Sequence, residues 1–142
     1  MNRLNVVRED NSAILPTYGT EFSAGLDLYT PVDLFITPNE TVIVDSKISL
    51  EIPEGHYGLM GPRSGWAIKR GLIVKNAPAI IDCDYRGTLK VALLNISFVP
   101  ISVLAGDRIA QIAIVPYTRV QVQEVEKLSD TVRGSGGLGS TG

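Results

Sequence analysis

Polar and apolar residues alternate along several short segments of this chain, and other short segments are apolar almost throughout. Residues 48–52 are apolar at every other position, and residues 120–125 alternate except at Glu124. A period of two predicts strands that keep one face in water. Residues 108–115 are apolar with few interruptions, which predicts a further strand.

The same patterns predict further strands and one short helix. The further strands are expected at residues 4–7, 26–29, 32–36, 41–44, 57–60, 72–74, 80–81, 88–95 and 96–103. The helix is expected over Ser64–Arg70, with Ser64 as its N-cap and Gly71 at its C-terminal stop. Its buried side chains are expected to be Trp66, Ala67 and Ile68. Many short strands, separated by Gly and Pro at intervals of roughly ten residues, predict an all-β sandwich or barrel.

The last ten residues differ in composition from the rest of the chain. At 142 residues the chain fits one domain, expected over residues 1–132. The glycine-rich segment 133–142 cannot form an ordered core. It is either a disordered end or an arm whose backbone amides wrap around phosphates and order when a ligand binds.

Charge and composition narrow the classes of partner. Hydrophobic residues make up 44% of the chain and charged residues 20%, which is ordinary for a globular protein. The net charge of -2 and the lack of a basic run argue against a nucleic-acid-binding protein. A nucleotide remains compatible, because a phosphate site needs only one or two arginines and some backbone amides.

The single cysteine and the single histidine exclude several chemistries. Cys83 has no partner for an intrachain disulfide, which predicts a reducing compartment. His56 lies in a Pro-Gly turn and gives Cys83 no evident base, so thiol catalysis is not expected. The ligands for a structural zinc site are also lacking. The N-terminus does not resemble a signal peptide and no apolar run is long enough to span a membrane, so a soluble intracellular protein is expected.

The segment 76–87 concentrates polar chemistry between two predicted strands. It ends in two carboxylates, a phenol, a guanidinium and a glycine. Strict alternation would put Asp82 and Tyr85 on opposite faces, so the chain must bend between them if both act on one ligand. A hairpin that ends at Gly87 would provide that bend. The alternative is an acidic hairpin tip with a structural tyrosine.

Three other sites carry isolated polar groups. Asp27 is one carboxylate in an apolar strand, which predicts either a structural hydrogen-bond network or contact with a metal-bound water. Gln111 is an amide in an apolar run, so it needs a partner from outside the strand or faces a ligand. Asp107 and Arg108 are expected to pair, either structurally or between subunits.

The residues before the predicted helix suit an anion. Arg63 offers a forked donor that matches phosphate oxygens, and Ser64 and Gly65 follow it. Free amides at the start of the helix add partial positive charge. The alternative is a capping serine beside an arginine in a salt bridge.

Taken together and in order, five segments resemble the motifs of the trimeric dUTPase family. They are AGLDLYT, PRSGWA, IIDCDYRG, GDRIAQ and RGSGGLGSTG, and they extend from Ala24 to Gly142. The resemblance implies a jelly-roll-like β fold assembled as a homotrimer, with three active sites at the subunit interfaces. It further implies hydrolysis of dUTP to dUMP and pyrophosphate, with Mg²⁺ bound to the triphosphate.

The resemblance also implies roles for individual residues. Asp82 matches the aspartate that activates the attacking water and meets the 3′-hydroxyl. Tyr85 matches the aromatic residue beneath the deoxyribose, where it leaves no room for a 2′-hydroxyl. Asn76 falls where many family members have the asparagine that reads uracil. Asp27 matches an aspartate near the water shell of the metal.

The phosphate-binding residues follow in the same way. Arg63, Ser64 and Gly65 match the phosphate-binding turn, and Gln111 matches an amide on the phosphate side. The arm that closes over the β- and γ-phosphates matches Arg133, Ser135, Gly136, Gly137, Ser140 and Thr141.

Two positions depart from the usual pattern. Ala79 stands where glycine is common, and strain is expected there if the backbone needs a positive φ. Leu138 stands where an aromatic residue often stacks on uracil, a contribution of about 1–3 kcal/mol in other base-binding sites. A looser closure of the arm is expected.

Two other functions compete with dUTP hydrolysis. A deaminase of the related dCTP deaminase family would replace the Asp82 motif with a catalytic glutamate, which is not found here. A trimeric binding or regulatory module with little turnover is supported only by Ala79 and Leu138.

Overall fold

The computed structural model describes residues 3–142 as an arrangement of short antiparallel strands with one helix. Within these residues the elements are β1 (Asn5–Arg8), β2 (Thr17–Tyr18), β3 (Leu26–Tyr29), β4 (Leu34–Ile36), β5 (Thr41–Glu51), β6 (His56–Gly61), α1 (Ser64–Arg70), β7 (Leu72–Val74), β8 (Ala79–Ile81), β9 (Thr88–Asn95), β10 (Ile101–Val103) and β11 (Arg108–Pro116). The expected all-β fold with one short helix is confirmed.

Two larger sheets share one hydrophobic core. One sheet has the strand order β1-β5-β9-β7, and the other has the order β2-β3-β11-β6-β8. A two-stranded sheet of β4 and β10 accompanies them. Leu28, Val91, Leu93 and Ile112 are almost fully buried and come from both larger sheets. Full burial of such side chains contributes about 1.5–3 kcal/mol each, so the core joins the sheets into one β-sandwich.

Three predicted strands differ most in extent from the observed ones. The predicted strands 41–44 and 48–52 merge into β5, which ends at Glu51 and whose pairing with β9 shifts register between Asp45 and Ser49. Lys47 lies in this irregularity with a φ of 59°. The predicted strand 96–103 shortens to β10 because Ser97 and Val99 turn around the buried side chain of Asn95.

The prediction of a strand at residues 120–125 is wrong. The segment is irregular, and the side chain of Val122 is 91% exposed. An alternating pattern stabilises a strand only when its apolar face is covered and a neighbour supplies hydrogen bonds. No other described segment of this chain does so.

The helix has the predicted boundaries but not the predicted cap or buried face. Gly71 adopts a left-handed conformation with a φ of 72°, and its N–H bonds to the carbonyl of Ala67. The N-cap is Arg63 rather than Ser64, and its side chain makes no capping hydrogen bond. Ile68 is exposed, because so short a helix presents only one side to the sheets. No helix in residues 3–142 is both long enough and apolar enough to cross a membrane.

Candidate active site

A buried aspartate in β3 pairs with two arginines from different parts of the chain. Asp27 is only 6% exposed. Its Oδ1 lies 2.8 Å from Nε of Arg63, and its Oδ2 lies 3.3 Å from Nη1 of Arg108. These pairs offset the cost of burying a carboxylate. Asp107 and Arg108 do not pair within the chain, since Asp107 accepts the backbone N–H of Leu104. A pair between subunits stays a prediction.

Asp27 and Arg63 of this ion-pair network line a cleft of about 840 Å³. Five residues predicted from the sequence line the cleft: Asp27, Arg63, Ser64, Gly65 and Gln111. Strand register explains how they meet, because Gln111 of β11 is paired with Asp27 on one side and with Gly61 on the other. The exposed amide of Gln111 donates from Nε2 to the carbonyl of Pro62 at 3.0 Å, which supplies the partner that its strand lacks.

The acidic segment after β8 is a tight turn, as its proposed chemistry requires. The backbone N–H of Tyr85 bonds to the carbonyl of Asp82 at 3.1 Å. The phenol of Tyr85 donates to the carbonyl of Thr88 at 3.0 Å. A Cβ at Gly87 would lie 2.6 Å from Cζ of Tyr85. Gly87 is therefore required for space beneath the tyrosine ring rather than for a positive φ.

The turn crosses between the two sheets, so the predicted hairpin is wrong. β8 pairs with β6, whereas β9 pairs with β5 and β7 in the other sheet. Asp82 is exposed in a second cavity of about 640 Å³, together with Tyr57, Asp84, Tyr117 and Arg119. Asp82 and Arg63 thus do not line the same cavity of one chain.

Asn76 and Ala79 flank the start of β8. Asn76 is exposed in the turn that leads into the strand. Ala79 is buried and pairs with Met60 of β6 in regular antiparallel register. Ala79 is not among the residues with positive φ, so the strain expected from its methyl group is absent.

The hydrogen bonds of the glycine-rich arm reach no further than Thr131, just before the arm begins. Nε of Arg133 donates to the carbonyl of Gly136 at 2.9 Å, and the N–H of Ser140 bonds to the carbonyl of Gly137 at 3.0 Å. Leu138 is fully exposed with a φ of 48°. The predicted arm residues, including Ser135 and Thr141, do not line the cleft of their own chain.

Three side chains around the cleft were not predicted as site residues. Arg108 was assigned to a different partner, and only strand register places it beside Asp27. Trp66 and Arg70 line the cleft from α1. Their i, i+4 spacing was visible in the sequence and places an aromatic ring beneath a cation on one face of a helix.

Two carboxylates away from these residues have shifted pKa values. The backbone N–H and then the hydroxyl of Thr37 lower the pKa of Glu40. The hydroxyl and then the backbone N–H of Ser12 lower the pKa of Asp10. Both carboxylates accept hydrogen bonds within surface turns, and neither lines the cleft.

The fold and the cleft together define a class of protein. Guanidinium, hydroxyl and amide groups converge in one cleft of a β-sandwich, and these groups suit phosphate oxygens. The family model described as dUTPase matches residues 11–142. The chain belongs to the dUTPase family.

Curated relatives and solved structures agree with this assignment. The chain is 47% identical over 137 residues to the deoxyuridine 5'-triphosphate nucleotidohydrolase of Hydrogenobaculum sp. (strain Y04AAS1), covering 96% of this chain and 94% of the relative. It is 45% identical to the protein of that name from Corynebacterium glutamicum, covering 98% and 94%. The structure of the Staphylococcus bacteriophage 80alpha dUTPase with dUPNHPP is similar at a TM-score of 0.93 and 26% identity, covering 100% of this chain and 99% of that one.

Proposed function

We propose that this protein is a dUTP diphosphatase, which hydrolyses dUTP to dUMP and pyrophosphate by attack of water on the α-phosphorus. The family match over residues 11–142 carries the proposal, because all five motif segments lie within it. The relatives in Hydrogenobaculum and Corynebacterium are named for the same reaction. The reaction would limit uracil incorporation into DNA and supply dUMP for dTMP synthesis.

The cleft donors are assigned to the phosphates. Arg63 is held through Nε by Asp27, which orients its fork and leaves the Nη groups free of other partners among residues 3–142. Ser64 and Gly65 follow it into the cleft, and Gln111 lies beside them. Phosphoryl transfer depends mainly on positioning and charge neutralisation, so donors fixed before binding favour the reaction.

The turn after β8 is assigned to the nucleoside and the attacking water. Asp82 is exposed and accepts the proton from water in this proposal. Tyr85 is held by its bond to the carbonyl of Thr88, so its ring can exclude a 2′-hydroxyl from the sugar site. Asn76 is assigned to uracil.

The arm is assigned to closure over the β- and γ-phosphates. Its residues in this role are Arg133, Ser135, Gly136, Gly137, Ser140 and Thr141, with Leu138 covering the base. Because the hydrogen bonds of the arm reach no further than Thr131, it gives up few contacts with the rest of its chain when it closes.

Mg²⁺ is the proposed cofactor, and the residues present fit it in a limited way. No group of three or more His, Cys, Asp or Glu side chains within residues 3–142 could hold a metal directly. Mg²⁺ commonly keeps several waters and is held by one or two carboxylates together with substrate phosphates. Asp27 lines the cleft and is the carboxylate that would meet the water shell of the ion. Bound Mg²⁺ would neutralise phosphate charge.

A homotrimer with shared active sites completes the proposal. The phosphate donors, Asp82 and the arm occupy separate regions of one chain. Neighbouring copies would bring them together at each subunit interface. An intracellular location, in the cytoplasm or in the nucleus of a eukaryotic or viral system, fits the single cysteine.

The direct test of the proposed function is a comparison of substrates. Purified protein is assayed with dUTP, UTP, dTTP and dCTP, with and without Mg²⁺, and the products are separated chromatographically. We expect dUMP and pyrophosphate from dUTP in the presence of Mg²⁺ and little turnover of the other nucleotides. Ammonia from dCTP would indicate a deaminase, and binding of dUTP without turnover would indicate a regulatory module.

Replacing the proposed base tests the assignment of Asp82. We expect Asp82→Asn to lower kcat by about 100- to 10,000-fold, because the amide cannot accept the proton from water. The oligomeric state and dUTP binding should be retained. Asp84→Asn is the matched control, since Asp84 is another exposed carboxylate in the same turn. Wild-type turnover by Asp82→Asn would contradict the assignment.

A further inference from the structure

Arg70 lies in the cleft on an aromatic support. It is in the last turn of α1, and its Cζ is 5.1 Å from the centroid of the Trp66 ring. Nε1 of Trp66 donates to the backbone carbonyl of Arg108 at 2.9 Å, which fixes the ring against the start of β11. The ring also packs against the core. The cation is therefore held over a support that the rest of the fold anchors.

Among the described residues 3–142, the guanidinium of Arg70 has no anionic partner. Arg63 and Arg108 both direct their charge to Asp27. Within residues 3–142, the guanidinium of Arg70 makes neither an ion pair nor a hydrogen bond, although its side chain lines the cleft. A cation over an aromatic face keeps the N–H groups at its edge available for an acceptor.

The charges that line the cleft require a cation in addition to Arg63. Apart from Arg70, the charged side chains of the lining are Arg63, Asp27 and Asp107. Arg108 lies outside the lining but pairs with Asp27, so the charges of these four residues sum to zero. A neutral cleft does not attract a triphosphate, and Arg70 makes the cleft net positive. The neighbouring Lys69 lies outside the lining.

We propose that Arg70 is a further substrate-binding residue, which contacts the phosphates of the bound nucleotide beyond those held by Arg63. This inference rests on the proposed function of the same cleft. A purely structural role for Arg70 would be to balance the helix dipole at the C-terminal end of α1. Lys69 shares that role, since it is an exposed cation in the same turn. The two residues therefore form a matched pair for the test.

The test compares Arg70→Gln with Lys69→Gln in the full-length protein. We expect Arg70→Gln to raise KM for dUTP about 10-fold, as for loss of one charge-assisted hydrogen bond in a partly exposed site. The inhibition constant of dUMP, which lacks the outer phosphates, should change less than 2-fold. A change of about that size is expected for an ordinary substitution on the surface. Arg70→Lys should restore part of the affinity, and KM should depend less steeply on salt in Arg70→Gln. Lys69→Gln should match the wild type.

Two results would overturn the inference. One is a KM for Arg70→Gln equal to that of Lys69→Gln, and the other is an equal loss of affinity for dUMP and dUTP. If the wild type does not hydrolyse dUTP, the proposed function fails and calorimetric titration with inorganic tripolyphosphate decides the role of Arg70. Weaker binding by Arg70→Gln than by Lys69→Gln supports it, and equal binding contradicts it.

Discussion

At the scale of single residues, two glycines lie so close to a facing side chain that a Cβ would collide with it. A Cβ at Gly25 would lie 2.6 Å from Oε1 of Gln111, and a Cβ at Gly87 would lie 2.6 Å from Cζ of Tyr85. Neither glycine is among those with positive φ. The requirement at Gly87 is steric, because the rigid ring of Tyr85 lies against it. A methyl group at Gly25 would instead push aside the flexible end of the Gln111 side chain.

Gly87→Ala tests whether the position of Tyr85 sets sugar specificity. The added methyl group must displace the tyrosine ring, so we expect the ratio of kcat/KM for UTP to that for dUTP to rise about 10-fold. The ratio is measured by competition between the two nucleotides. Gly61→Ala serves as the control, because a Cβ at Gly61 meets no atom within 4 Å. An unchanged ratio in Gly87→Ala would remove Tyr85 from the sugar site.

At the scale of elements, periodicity predicted most strands because their burial alternates as the sequence does. β9 and β11 have the predicted starts, and the helix has both predicted ends. The sequence could not indicate register, and register alone places Gln111 beside Asp27 and Gly61. For the same reason the sequence did not indicate that Arg108 pairs with Asp27.

Two errors at this scale share another cause. The segment 82–87 was expected to join two paired strands, but β8 and β9 belong to different sheets. A local turn signal is the same in a hairpin and in a crossover between sheets. Residues 120–125 carry a strand pattern without a partner strand in their own chain. A local sequence pattern indicates a preference for a strand, but it does not identify the neighbouring strand with which the segment pairs.

Removal of residues 133–142 tests whether the arm contributes to catalysis without contributing to folding. The hydrogen bonds of this segment reach no further than Thr131, so we expect the same Tm and oligomeric state after its removal. We expect kcat/KM for dUTP to fall about 100-fold or more, because closure of the site over the phosphates is lost. Steady-state kinetics and thermal unfolding of the same preparation measure both quantities. Unchanged kinetics would mean that the arm is a disordered end.

At the scale of the whole molecule, one chain contains the parts of a site but does not assemble them. The phosphate donors lie in one cleft, Asp82 lies in another cavity, and the arm lines neither of them. The segment that leads to the arm exposes large apolar side chains, among them Val120, Val122 and Leu128. Exposed apolar side chains along an extended segment suit contact with another copy of the chain. These observations support the proposed homotrimer with shared sites.

The most direct test of this account is complementation between two inactive chains. Asp82→Asn is mixed in equal amounts with the chain that lacks residues 133–142, under conditions that exchange subunits, and dUTP turnover is measured. If the base and the arm come from different copies, about one quarter of the sites in randomly mixed trimers regain both parts, and activity recovers to that extent. If mixed oligomers form, as shown by co-purification through a tag on one chain, and turnover stays at the level of the separate variants, the shared site is contradicted.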